Sequence, residues 1–373
     1  MWNEAAGAAR TESVASPLGT ALRASALVCA VLAAACGGGL EEAPPERLLY
    51  TLRGDTMGTY YVVKVVRPAD QPLEDAVQEG LRDRVEAELD LVNGAMSTYI
   101  DGSELSRFNR WTELEPFEVS AATLEVARAA VALGRLTEGA LDVTVAPLMA
   151  AYGFGEDGVT SMPDDATLDH LRQRIGFHRL VLGEDPPSLG KTVPDLEVDL
   201  SSIAKGYAID RVVDALVNDG FEDLFVEVGG EVRAKGHNLR DRPWRVGIER
   251  PGGGPTGGGG IQRLMELDDV AVATSGDYRI YREVNGERVS HILDPRSGLP
   301  IRHRLASVSV VRPTCMEADG LATALMVLGP DEGLELATRE GVAALFLVRS
   351  GKVFDEISTP AFEAAFEGEA TGP

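Results

Sequence analysis

An α+β fold, with mixed and largely antiparallel sheets flanked by helices, is predicted by three observations. Runs of β-branched and aromatic residues recur along the chain. Segments with apolar residues at helical spacing stand among them. The two kinds follow one another without the regular alternation that a doubly wound parallel sheet requires. The run TYYVVKVV (59–66) predicts the first strand. Leu73, Val77, Leu81, Val85 and Leu89, spaced four apart, predict an amphipathic helix after it. A second helix is expected over 121–137 and a third over 202–218, the latter carrying Ile203, Tyr207, Val213 and Leu216. Further strands are expected at 224–228, 244–249, 262–267, 307–311 and 343–348. Residues 251–260 hold seven glycines in ten and predict a mobile surface loop, a poor place for chemistry.

The chain has 373 residues, 44% of them hydrophobic, 25% charged, with 41 Gly and 20 Pro, a composition that buries a substantial core and excludes disordered and collagen-like architectures. Its 35 basic against 59 acidic residues leave a formal charge of −24, a field that repels phosphate backbones, so nucleic-acid partners are set aside. Arg23 is followed by twelve uncharged, mostly apolar residues, then by Cys36 and three glycines. That stretch has the length of a secretory hydrophobic region and is short of the roughly 20 residues of a membrane span. Ala34 and Ala35 before Cys36 resemble a bacterial lipoprotein box, with Ala33 where a larger aliphatic residue is usual. The organisation expected is a lipoprotein signal over 1–35, a Gly/Glu/Pro-rich tether over 36–47 beginning at a lipidated Cys36, one domain over 48–358 and an acidic tail over 359–373, whose last dozen residues, with alternating Phe and Ala, read as a frayed helix or as a tail. An ordinary signal peptide and a spare N-terminal tail are the alternatives. Of the three cysteines only Cys315 falls in the body, so no disulfide is expected there.

Three clusters carry chemistry. In Val198-Asp199-Leu200-Ser201-Ser202-Ile203-Ala204-Lys205 an apolar strand delivers Asp199 and two serines open a helix, which turns backbone N–H groups outward with Lys205 one turn in. That is a place for phosphate, although a capped helix with a solvated lysine accounts for the same residues. In Glu317-Ala318-Asp319-Gly320-Leu321-Ala322-Thr323, Asp319 and Thr323 stand four apart on one helical face, where a carboxylate and a hydroxyl can share a hard cation such as Mg²⁺. A helix cap and a back-bonding hydroxyl are the plainer reading. In the third cluster, His291 stands alone among the five histidines beside an Asp-Pro turn, Asp294-Pro295-Arg296, where an imidazole is oriented and used to move protons at neutral pH, or is simply structural. His170, His178, His237 and His303 lack such company. Zinc spacings, a Walker loop, a dinucleotide fingerprint and a nucleophile elbow are absent.

These clusters resemble the ApbE family, the FAD:protein FMN transferases. The matching segments are DTMGTYYVV (55–63), AMSTYIDGSELSRFN (95–109), GALDVTVAPLMAAYGFG (139–155), VDLSSIAKGYAID (198–210), VEVGGEVRAKG (226–236), WRVGIERP (244–251), VATSGDYR (272–279), HILDPRSGLP (291–300) and EADGLATALMVLG (317–329). The likeness covers about residues 50–350. It implies an exported, lipid-anchored enzyme facing the periplasm or the cell exterior, which binds FAD with Mg²⁺ and moves FMN onto a Thr or Ser hydroxyl of an acceptor protein with release of AMP. The acceptors that it suggests are exported domains of membrane redox complexes. Carried over by position, the resemblance places the metal on the backbone carbonyl of Ser202 and the side chains of Asp319 and Thr323. It places the flavin nucleotide against Met57, Tyr99, Ala140, Leu141, Asp142, Asp199, Lys205 and Leu293, with His291 and Asp294 in an HxxDP motif beside the reacting phosphate. Ser201-Ser202 stands where Gly-Gly or Ser-Ala is frequent in the family, and Tyr152 where Trp is common. A metal-dependent FAD pyrophosphatase and a non-catalytic FAD-binding lipoprotein are the functional alternatives.

Overall fold

The computed structural model describes residues 46–154, 162–252, 260–278, 281–284, 287–351 and 353–366. The expected leader, Cys36 and nearly all of the tether lie outside these residues, as do most of the expected glycine loop and the last seven residues of the expected tail. Among the described residues no helix is long and apolar enough to cross a membrane.

Among the described residues eight strands form the main sheet: β1 (Arg47–Thr56), β2 (Thr59–Pro68), β3 (Asp223–Val228), β4 (Glu231–Lys235), β5 (Ala271–Gly276), β6 (Leu305–Arg312), β7 (Ala343–Ser350) and β8 (Val353–Ser358). They lie side by side in chain order. Every neighbouring pair is antiparallel. The central strands are covered on both faces, which is why they run as near-continuous β-branched stretches rather than as alternating ones. On one face Val63, Val65, Val226 and Val228 pack with the helices α1 (Asp75–Met96), α2 (Ala121–Leu136) and α3 (Ser201–Asn218). Farther along the same face, Val308, Val310 and Phe346 pack with Leu321 and Leu325 of α4 (Cys315–Arg339). On the other face Val66, Phe225, Val232 and Val272 meet Trp244 and Ile248 of the hairpin Trp244–Glu249/Ile261–Leu267. A three-stranded sheet of Phe117–Glu118, Leu180–Glu184 and Pro187–Lys191 stands apart.

Two expectations are corrected. The first helix buries Leu81, Val85, Leu89, Val92 and Met96. Leu73 precedes it and Val77 is 45% exposed, because the stripe follows the 3.6-residue period and drifts off a strict spacing of four. The chain after 359 is not a tail over its first part: Pro360–Phe366 is a helix, α5, with Phe362 and Phe366 buried and their ring centroids 4.9 Å apart. Thr359 fixes its start, accepting the Ala344 N–H at 3.0 Å and donating to the Val342 carbonyl at 2.7 Å. The two phenylalanines, four apart, outweigh the acidic residues between and after them.

The topology gathers the site at one end of the sheet. Tyr61 pairs with Val228, so the β1–β2 turn at Met57-Gly58 and the β3–β4 turn at Gly229-Gly230 lie together. Val272 pairs with Val232, so β5 runs out past the same end through Ser275 and Gly276.

Candidate active site

A cavity of about 1140 Å³ opens at that end of the sheet. Met57, Tyr99, Ala140, Leu141, Asp142 and Asp199 line it, and so do Ser202, Lys205, His291, Leu293, Asp319 and Thr323. Residues far apart in the chain thus converge on one volume. Asp294 does not line it. Its carboxylate is held by Arg296, whose Nε and Nη2 each lie 3.0 Å from it, and Arg296 also reaches Glu332 at 3.2 Å. The Asp294–Arg296 pair folds the turn that follows His291. His291 lies edge-on to Phe154, ring centroids 6.4 Å apart.

Met57 enters the cavity from a two-residue hairpin turn in which it takes φ 49° and Gly58 φ 69°. Left-handed backbone is natural for the glycine and strained for the methionine. Asp142 is buried and its oxygens are occupied: Oδ1 accepts from the Thr144 N–H at 2.9 Å and hydroxyl at 2.6 Å, and Oδ2 from the Phe177 N–H at 2.9 Å. Burial pushes its carboxyl up, and the Thr144 and Phe177 donors oppose that. Asp142 thus shapes the loop between Leu141 and Thr144, a task that the sequence motif does not separate from ligand contact.

The start of α3 differs from expectation. Neither serine caps it; Asp199 Oδ1 accepts the Ser201 N–H at 2.8 Å, and the Ile203 N–H turns back to the Leu200 carbonyl at 3.0 Å. The Ser201 and Ile203 N–H groups are thus spent within the loop, so the positive charge on this side of the cavity rests mainly on Lys205.

Asp319 and Thr323 stand one turn apart on α4, as their spacing predicts. Asp319 is 3% exposed, and its Oδ2 accepts the Gly206 N–H of α3 at 3.0 Å. In a regular helix that N–H belongs to the Ser202 carbonyl, so the carboxylate and this carbonyl converge on one point. The Thr323 hydroxyl lies 3.2 Å from that of Ser275. Lys205 Nζ lies 3.5 Å from Asp319 Oδ1 and 3.7 Å from Glu231 Oε1. Burial pulls its ammonium down; the two carboxylates outweigh that and hold it above the ordinary lysine value. Burial likewise pushes the Asp319 carboxyl up, against the pull of Lys205. Among the described residues no group of three or more His, Cys, Asp or Glu has metal-binding geometry. One carboxylate, one hydroxyl and one backbone carbonyl form instead an all-oxygen set with too few donors for Ca²⁺ and enough for Mg²⁺ completed by water and substrate oxygens. The residues fit a small hard cation.

Glu231 and Ser275 also line the cavity and were missed. The signal for Glu231 was present: an acidic residue directly after Gly-Gly at the head of an apolar strand.

The ApbE family model matches residues 57–346. The chain belongs to the ApbE family. Among ApbE-type relatives it is 40% identical over 345 residues to the FAD:protein FMN transferase of Haemophilus influenzae, covering 91% of this chain and 98% of that one. It is 43% identical over 339 residues to that of Vibrio cholerae, covering 91% and 97%. Solved ApbE structures agree in fold. The flavin transferase ApbE from Vibrio cholerae superposes with a TM-score of 0.77 at 41% identity, covering 86% of this chain and all of that one. The apo Pseudomonas stutzeri flavinyl transferase ApbE gives 0.78 at 40% identity, covering 87% and 98%.

Proposed function

We propose that this chain transfers FMN from FAD to a Thr or Ser hydroxyl of an acceptor protein, with Mg²⁺ and with release of AMP. The observation that carries this reading is the meeting of Asp319, Thr323, Lys205 and His291 in one cavity of a chain with a charge of −24. A dianionic diphosphate enters such a molecule only where positive charge is focused. Mg²⁺, when bound, supplies Lewis acidity and charge neutralisation at the diphosphate. Asp319, Thr323 and the Ser202 carbonyl are the groups that would hold it. Lys205 bears on the same non-bridging oxygens as a fixed charge.

In the reaction the acceptor oxygen bonds to the FMN phosphorus, the bond from that phosphorus to the bridging oxygen breaks, and the bridging oxygen leaves with AMP. His291 accepts the hydroxyl proton on a ring nitrogen. Met57, Tyr99 and Leu293 offer apolar surface to the flavin. Asp294 supports the HxxDP turn through Arg296.

Incubation with FAD, Mg²⁺ and a flavin-acceptor protein tests the reading. A mass gain on the acceptor equal to FMN, with stoichiometric AMP, is the expected result. Free FMN without labelling would make the chain a pyrophosphatase, and tight FAD binding without AMP a carrier. For the leader, the reading is a lipoprotein signal over 1–35 with Cys36 acylated and the enzyme facing the periplasm or exterior, near exported domains of membrane redox complexes. A Cys36→Ala variant that stays with the membrane fraction would contradict it.

A further inference from the structure

Glu231 is a buried charge that the chemistry above leaves without a task. It opens β4 directly after the Gly229-Gly230 turn, lines the cavity and is 7% exposed. Its Oε1 lies 3.7 Å from Lys205 Nζ, and its Oε2 is buried with no hydrogen-bond partner among the described residues. An oxygen in that condition is costly to keep, and the fold keeps it beside Lys205, the one lysine that lines the cavity among the described residues. The same ammonium lies 3.5 Å from Asp319 Oδ1. One cation therefore stands between two buried carboxylates.

That arrangement answers an electrostatic conflict. A divalent ion on Asp319 and an ammonium 3.5 Å from the same carboxylate repel each other. If Asp319 were the only counter-charge of Lys205, the ion would have to displace the ammonium from its one carboxylate and leave it with the Ser201 carbonyl, 3.4 Å away. With Glu231 present, the ammonium has a second carboxylate to turn to, and Oε2 is a free acceptor waiting for it. With both carboxylates ionised, as an incoming cation favours, Asp319, Glu231 and Lys205 together carry a single negative charge. A divalent ion brings the group to a single positive charge, suited to a diphosphate. Neutralising Glu231 leaves an already balanced Lys205–Asp319 pair that resists the ion.

We propose that Glu231 is a positioning residue that draws the Lys205 ammonium off Asp319 when a divalent cation binds, so that both positive charges serve one diphosphate. The inference rests on the reading of Asp319 as a metal ligand.

Mn²⁺ binding to the full chain without FAD, followed by electron paramagnetic resonance, tests both and separates them. Wild-type protein is expected to bind one Mn²⁺ per chain. Glu231→Gln, nearly isosteric, should bind it roughly tenfold more weakly with an unchanged melting temperature. In a Lys205→Met background the ion has no competitor, and the same Glu231→Gln change should cost less than about threefold. An equal loss in both backgrounds, or two ions per wild-type chain, would mean that Glu231 meets the ion directly and would overturn the proposal. Undiminished affinity in Glu231→Gln would overturn it too. Absence of Mn²⁺ binding by wild type would instead remove the metal reading itself. Should Lys205→Met not fold, Glu231→Asp decides: it keeps the charge and should retain affinity to within about threefold, whereas a loss as large as that of Glu231→Gln would sink the idea.

Discussion

The backbone N–H of Gly206 donates to Oδ2 of Asp319 at 3.0 Å, so that α3 and α4 are joined at the residue proposed to hold the metal. The helices approach so closely there that a Cβ on Gly206 would lie 2.5 Å from the carbonyl carbon of Cys315 and 2.7 Å from the amide nitrogen of Met316. Those are backbone atoms and cannot swing aside. Gly206→Ala should force the helices apart, cost about 1–3 kcal/mol of stability and reduce AMP release further than the stability loss explains. Urea unfolding and FAD turnover on the same preparation check this. Full activity would show that the crossing tolerates a methyl group and that the site does not depend on it.

Asp319 has two tasks, accepting the Gly206 N–H and offering a charge, and substitutions separate them. Asp319→Asn keeps an acceptor for Gly206 and should fold nearly as well as wild type, yet lose Mg²⁺-dependent activity by roughly 10²-fold or more. Asp319→Ala should lose the same activity and also stability, since the Lys205 ammonium loses a buried carboxylate and the α3–α4 hydrogen bond goes with it. Activity of wild type that persists in chelator, or an Asp319→Ala enzyme with normal turnover, would contradict the assignment.

Met57 holds a left-handed conformation in a turn whose geometry favours Asn-Gly, and it lines the cavity. Strain kept at such a position implies a use for the side chain. Met57→Asn should relieve the strain and raise stability by about 0.5–1 kcal/mol while weakening FAD binding. Thermal melts paired with flavin fluorescence titration measure the two effects. Tighter FAD binding in the variant would show that the thioether does not serve the ligand.

The strained Met57 also marks the limit of what the chain discloses as a string. Its place in a motif was legible, but its left-handed φ emerges only from the pairing of Thr56 with Thr59. The strand over 343–348 was legible because burial on both faces selects a continuous apolar run, and that over 244–249 because Trp244, Val246 and Ile248 alternate with the exposed Arg245, Gly247 and Glu249. The helix positions of Asp319 and Thr323 followed from a spacing of four. The role of Asp142 did not, since nothing local says that Phe177, thirty-five positions on, supplies the N–H for its second oxygen. The Asp294–Arg296 pair was not read from the sequence for a related reason: the motif says nothing of which neighbour offers the carboxylate a bidentate partner. That α5 docks rather than frays was hidden because its acidic composition masks two core phenylalanines.

His291 and Asp294 should accordingly behave differently. His291→Asn removes the proposed proton acceptor and should lower transfer by roughly 10²-fold or more while FAD binding survives. Asp294→Ala removes the anchor of Arg296 at the turn and should act through positioning, with a milder loss of turnover and a lower melting temperature. Single-turnover AMP release and calorimetric FAD binding distinguish the two. Equal losses with unchanged stability would return Asp294 to the reacting phosphate.

Lys191 offers a test by pH. It ends the strand Pro187–Lys191, is 4% exposed, donates to the Asn109 carbonyl at 3.1 Å and lies 4.7 Å from the Phe108 ring centroid. Asn109 in turn clamps Val198, its Nδ2 donating to the Val198 carbonyl at 2.9 Å and its Oδ1 accepting the Val198 N–H at 2.8 Å, one residue before Asp199. Burial lowers the Lys191 amine to about 8, against the opposing pull of Glu197 and Asp195. The native state therefore binds this proton less tightly than the unfolded chain, whose lysines titrate near about 10.4. Between those two values the unfolded chain holds the proton and the folded one does not, so this group's contribution to stability rises with pH across that window. Below it both states are protonated and the desolvation penalty is present in full. Lys191→Met removes the penalty, so its stability relative to wild type should be most favourable near about pH 7. That advantage should shrink by on the order of 2 kcal/mol by about pH 10. Urea midpoints of both proteins at the two pH values give the comparison directly. A difference that does not change with pH would mean that Lys191 titrates as an ordinary lysine and that its burial exacts nothing from the segment leading into the site.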